Sequence, residues 1–187
     1  MDKLLKESDY LQAAELLGCE VAAIKAVAEV ESTGSGFLDD GITPKILFER
    51  HYFHDLTGGK YDKSYPDISN EAAGGYGTSS RQHARLQVAS GLDRDAAMQS
   101  ASWGKFQIMG KNYALAGFKT LQAFINAMYD SEASHLKAFV NFIISTGLKP
   151  ALQKKDWTTF ARKYNGKNYY KNKYDEKMAS AYKKYKK

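Results

Sequence analysis

The sequence predicts a mainly α-helical fold in one domain, with a long irregular segment that has room for a small β-hairpin. Apolar residues recur at helical spacing in several separate stretches. No internal repeat, low-complexity block or interdomain linker interrupts the 187 residues, a length sufficient to bury a real core. Between the helical stretches, Thr57 to Gly77 is rich in Gly, Asp, Asn, Ser and Tyr, with turn signals at Gly58-Gly59 and Gly74-Gly75. Its strand pattern is too weak to place a hairpin, and a loop of that length in a compact domain points to function.

Taken in order, Ser8 to Leu17 reads as a first helix, and Cys19-Glu20-Val21 opens a second that ends near Gly34. Thr43 and Pro44 have the form of an N-cap and first helical residue, with Ile42 and Leu47 spaced as a hydrophobic staple. A central helix is therefore expected from Pro44 to Leu56, apolar or aromatic nearly all round. Arg81 to Ala89 and Asp93 to Ala101 follow as helices either side of Gly91, and Ala101 to Gly110 is short, apolar and glycine-bounded. Helices are then expected at Leu121 to Met128 and at Ser131 to Ser145. The second carries Leu136, Phe139, Val140, Ile143 and Ile144 as a core stripe. Asp156 caps another helix through Tyr164, Asn165-Gly166 breaks the chain, and residues 169–187 form a basic amphipathic C-terminal helix with Tyr170, Tyr174, Met178, Ala181 and Tyr185 on one face.

The chemistry centres on the second helix. Ile24, Val27, Ala28 and Glu31 stand at i, i+3, i+4 and i+7, so an apolar face ends in a carboxylate. Partial burial and the negative end of the helix dipole both disfavour its charged form and raise its pKa, which suits a general acid. Glu49 is a second carboxylate in an apolar stripe, with Ile46, Phe53 and Leu56. Two such carboxyls are the layout of glycosidic bond cleavage: one protonates the leaving oxygen, and the other activates water or stabilises the oxocarbenium-like state. A buried ion pair is the competing reading for each, most of all for Glu49 beside Arg50 and His51. Glu132, in line with Leu136 and Phe139, is either a third groove carboxylate or half of a buried pair.

Other chemistries lose ground. The histidines at 51, 54, 83 and 135 lack metal-site spacing, and no metal or cofactor is expected. There is no phosphate-cradling glycine loop, nucleophile elbow or cysteine–histidine pairing. The lone Cys19 excludes an internal disulfide and reads as a small packing residue. No signal-peptide core or membrane-length run is present. Residues 154–187 carry 12 Lys or Arg against 3 Asp or Glu, whereas the first 153 carry 15 against 18. That asymmetry points the tail at an anionic lipid or wall surface; no nucleic-acid recognition motif accompanies it.

Three fragments in order carry a resemblance. Glu31-Ser32 resembles the Glu-Ser motif of lysozyme-like lytic enzymes, Gly104 to Met109 their Gly-Leu-Met-Gln motif, and Ala161 to Gly166, with Tyr164-Asn165-Gly166, their Ala-x-x-Tyr-Asn motif. Val27 to Gly36, Ile46 to His51, Gly74-Gly75-Tyr76 and Ser100 to Gly104 are similar to the phage N-acetylmuramidase domain of modular endolysins. The resemblance spans roughly Leu16 to Tyr182.

It implies a lysozyme-like domain over residues 1–187 that cleaves the β-1,4 bond between N-acetylmuramic acid and N-acetylglucosamine in bacterial peptidoglycan. Glu31 takes the general acid role and Glu49 that of partner carboxylate. Gln107, Tyr164 and Asn165 match motif positions that line the sugar groove, with Trp103 and Tyr76 as aromatic sugar contacts. The expected enzyme is a monomer made in the host cytoplasm without a signal peptide, reaching peptidoglycan once the membrane is permeabilised. Two departures stand out: Lys105 replaces an often apolar residue, and the basic C-terminal helix stands in for a separate wall-binding module, reaching an anionic outer-membrane or wall surface. Two alternatives remain open from sequence: a lytic transglycosylase in which Glu31 serves alone, and a non-catalytic cationic wall-binding or envelope-disrupting protein.

Overall fold

A computed structural model describes residues 3–32 and 34–186. Thr33, next to the Glu31-Ser32 pair, lies outside the described residues, as do both ends of the 1–187 domain. The elements run α1 (Glu7–Leu17), α2 (Val21–Glu31), β1 (Ile46–Phe48), α3 (Arg50–Thr57), α4 (Gln82–Leu92), α5 (Arg94–Gln99), β2 (Ala101–Trp103), β3 (Ile108–Met109), α6 (Leu121–Asp130), α7 (Glu132–Ser145), α8 (Lys149–Lys154), α9 (Trp157–Tyr164) and α10 (Tyr174–Tyr185). The helix starts follow their caps: Asp93, Thr120, Ser131 and Asp156 each accept a backbone N–H from the first turn of the helix they precede.

Helix α2 is buried around most of its circumference, because α1 packs on one side and α10 lies along another. Its alanines, at 22, 23, 26 and 28, allow that close approach, and Met178, Ala181 and Tyr182 of α10 are buried. The C-terminal helix is thus part of the core rather than a free appendage. Its first expected residues, 169–172, form a 3₁₀ turn, and Tyr170 is exposed. Helix α7 supplies Leu136, Phe139, Val140 and Ile143 to the core, while Ile144 points to solvent. Phe106 stacks on Phe139 at 4.5 Å between centroids, and Tyr164 stacks on Phe160 at 5.2 Å.

The expected helix from Pro44 to Leu56 forms only from Arg50 onward. Ile46–Phe48 is a strand, antiparallel to β2 with Ile46 opposite Trp103 and Phe48 opposite Ala101, and β2 pairs with β3. Period-two burial decides it: Ile46 and Phe48 are buried with Leu47 less so. Thr43 caps nothing; Asp40 accepts both the Thr43 N–H and its hydroxyl, and Pro44 bridges Phe37 across a tight turn. Helix α3 starts only at Arg50, which leaves Leu56 exposed. The sheet therefore draws on residues 46–48 and 101–109; Thr57 to Gly77 holds turns and no strand among its described residues.

Candidate active site

Glu31 is the last residue of α2, and Ser32 ends the helix in extended backbone. The carboxyl faces a cavity of about 810 Å³ bordered by Leu38, Lys45, Leu47, Ser79 and Gln107. It keeps some open surface toward that cavity but lies deep among protein atoms. Burial raises its pKa to about 7, against the opposing hydrogen bond from Asn165. Asn165 Nδ2 donates to Glu31 Oε1 at 2.7 Å. Its Oδ1 is buried with no hydrogen-bond partner among the described residues. The amide is thus anchored to the carboxyl through its donor side alone.

The β2–β3 turn brings Gln107 to the same cavity. Gly104 turns the chain at φ +69°, directly over the His135 ring, which would lie 2.7 Å from any added Cβ. Gly36 is packed on the same ring, where an added Cβ would lie 2.8 Å from Nδ1. His135 Nδ1 accepts the Lys105 N–H at 3.1 Å, and Nε2 faces the Met128 carbonyl at 2.8 Å, so the buried ring is neutral with its proton on Nε2. Gln107 itself holds φ +48°, uncommon for a residue with a side chain, and its Nε2 donates to the Gly104 carbonyl at 2.8 Å.

Glu49 sits between β1 and α3, with its N–H donated to the Ser100 carbonyl at 3.0 Å. It does not border the Glu31 cavity but belongs to a cluster with Tyr76, His51, Tyr52 and Lys111. Burial raises its pKa, offset by the Tyr76 hydroxyl at 3.4 Å and by Lys111. The ion pair open from sequence is weak: His51 Nδ1 lies 3.8 Å away, and burial lowers the pKa of that histidine. Tyr76 is held in place from behind. Its carbonyl accepts Gln82 Nε2 at 2.6 Å and Arg85 at 2.8 Å. Gln82 Oε1 also accepts the Phe48 N–H at 2.9 Å, so two buried α4 side chains bind the strand before Glu49 to the loop carrying Tyr76.

Glu31 and Gln107 therefore gather at one cavity, with Asn165 bonded to Glu31, and Glu49 and Tyr76 form a separate cluster. Tyr164 contributes from behind: its hydroxyl donates to the Phe106 carbonyl at 2.6 Å, so it braces the turn before Gln107 instead of facing solvent. Trp103 is a correction. It is 1% exposed, its indole N–H donates to the Met98 carbonyl at 3.1 Å, and its place on β2 makes it core rather than a sugar platform. Glu132 is likewise no groove carboxylate. It accepts the Gly36 N–H at 2.6 Å and the Leu5 N–H at 3.0 Å, with Lys105 Nζ 3.5 Å away. Burial alone would raise its pKa, but those bonds and Lys105 outweigh it and lower it.

Tyr174, unassigned by sequence beyond the tail stripe, belongs to this region. Its phenol pKa is raised by burial and then by negative charge on both Glu31 and Glu49. No local pattern marks it, because α10 reaches the site only through tertiary packing. Among the described residues, no group of three or more His, Cys, Asp or Glu side chains could hold a metal ion, and no helix is long and apolar enough to cross a membrane.

Comparison with known proteins bears on this geometry. The crystal structure of Burkholderia AP3 phage endolysin is 40% identical over 98% of this chain and 71% of that one, with a TM-score of 0.87. No curated protein sequence gives a match. The family model described as N-acetylmuramidase matches residues 20–186, which takes in every residue gathered at the two clusters. The chain belongs to the N-acetylmuramidase family.

Proposed function

We propose that this chain is a peptidoglycan hydrolase that cleaves the muramyl glycosidic bond with Glu31 as general acid and Glu49 as partner carboxylate. The observation that carries the reading is the Glu31 carboxyl, facing an 810 Å³ cavity with a pKa raised to about 7. A carboxyl so placed still holds its proton near neutral pH and can pass it to a glycosidic oxygen as the bond breaks. Asn165, through its amide donor on Oε1, fixes the orientation of the carboxyl that carries that proton. Gln107 supports the sugar from the cavity wall. Glu49, whose pKa burial raises while Tyr76 and Lys111 oppose that rise, activates the attacking water or stabilises the developing cation.

The exposed lysines of the C-terminal segment face an anionic wall or outer-membrane surface, and the enzyme acts as a monomer after the membrane is opened. The test is Glu31→Gln. A general acid contributes roughly 10²–10⁴-fold to rate, so lysis of purified walls should fall by at least that lower figure in a folded variant. Near-normal lysis would overturn the assignment. Wild-type digestion should leave reducing muramic acid ends; 1,6-anhydro ends would instead make the chain a transglycosylase.

A further inference from the structure

A second cavity, of about 790 Å³, adjoins the Glu31 cavity, and Ser32 borders both. It runs between α2 and α10 and carries Lys25, Lys105, Lys177 and Lys184 against a single carboxylate, Glu29. Most of these cations are already engaged. Lys184 pairs with Glu29 at 2.7 Å, Lys25 with Glu7 at 2.7 Å, and Lys105 lies 3.5 Å from Glu132 while donating to the Gly34 carbonyl. Lys177 has no carboxylate within ion-pair distance among the described residues; its ammonium stands 5.9 Å over the Tyr174 ring. A groove with net positive lining and one uncommitted ammonium suits an anion, and the residue after the proposed acid is part of its wall.

We infer that this groove receives the carboxylates of the peptide stem carried by the muramyl residue, with Lys177 as the anchoring cation. The inference rests on the muramidase reading: the stem leaves the very sugar whose bond Glu31 would protonate, so an anionic chain must leave the Glu31 cavity beside that sugar. On one side that exit is Ser32 and the lysine groove. The cleft itself then reads the glycan, and the groove reads the charge of the stem.

The experiment compares kcat/KM on soluble muropeptide chains carrying native stems with the same chains after their stem carboxylates are converted to amides. Amidation removes the charge and leaves the size nearly unchanged. Wild-type enzyme should prefer native stems by up to about five-fold, the factor that corresponds to the upper range of an exposed ion pair. Lys177→Glu should abolish or invert that preference. Lys183→Glu, on the same helix but outside the groove, changes net charge equally and should keep it. A preference that is absent in wild type, or that survives Lys177→Glu, would overturn the groove assignment while leaving the muramidase reading standing. Wild-type inactivity on both substrates would instead sink the muramidase reading and the groove with it.

Discussion

Replacing Glu31 with Gln should make the protein more stable in alkaline solution while removing its activity. In the folded chain the carboxyl holds its proton up to about pH 7, raised from 4.5 by burial. In the unfolded chain it ionises at its ordinary value. Above pH 4.5 the unfolded state therefore gains by releasing a proton that the folded state retains. Stability is full below that pH and is lost progressively as pH rises through 7. The gap corresponds to a loss of about 3 kcal/mol at pH 8, at about 1.4 kcal/mol per pH unit. Gln keeps the acceptor oxygen for Asn165 Nδ2 and has nothing to ionise. Thermal unfolding should show the variant up to roughly 6–12 °C more stable at pH 8, on the scale of about 2–4 °C per kcal/mol for a chain of this size. At pH 4 the two should coincide. A variant equal to or less stable than wild type at pH 8, or equally stabilised at both pH values, would refute the claim that Glu31 is held protonated by burial.

Three further outcomes follow from the surroundings of the site. Tyr76→Phe removes the hydroxyl that lowers the Glu49 pKa, so the acidic limb of the kcat/KM profile should move to higher pH by less than about one unit, given the 3.4 Å contact; no movement would separate Tyr76 from Glu49 function. Trp103→Ala should cost about 3–5 kcal/mol in denaturant unfolding, as for a fully buried aromatic; a stable variant with a raised KM would return Trp103 to the sugar. Glu132→Gln should destabilise at neutral pH and lose its difference from wild type under acid conditions, because the lowered carboxyl stabilises the fold only while ionised. A pH-independent difference in chemical denaturation would show that its charge is not what ties Gly36 and Leu5 together.

Much of the helical frame was legible because caps and apolar stripes are local. Asp156, Asp93 and Ser131 announce the helices they cap, and the Ile24–Val27–Ala28–Glu31 face announces where the carboxyl lies. What was misread depends on distant partners. Residues 46–48 carry a helix-like run of apolar side chains, yet their backbone pairs with residues 101–103, more than fifty positions away. Trp103 sits beside the turn that delivers Gln107, and only strand register shows that its ring points into the core. Glu132 and Glu31 look alike on a helical wheel; the difference is that backbone N–H groups from Gly36 and Leu5 converge on one and a lone amide on the other. Gln82, Arg85 and Tyr174 bear on the Glu49 region through backbone carbonyls and helix packing that no spacing encodes. Helix α8, six residues with Pro150 in its first turn, was too short to leave a stripe.

The pH dependence of kcat/KM on soluble muropeptide chains tests the central claim most directly, because in the free enzyme it reports the ionisation of the essential acid. With Glu31 as proton donor, activity should fall on an alkaline limb with an apparent pKa near 7, and Glu31→Gln should lack activity throughout. Activity that stays level to pH 9, or a Glu31→Gln variant that keeps the wild-type profile, would contradict it.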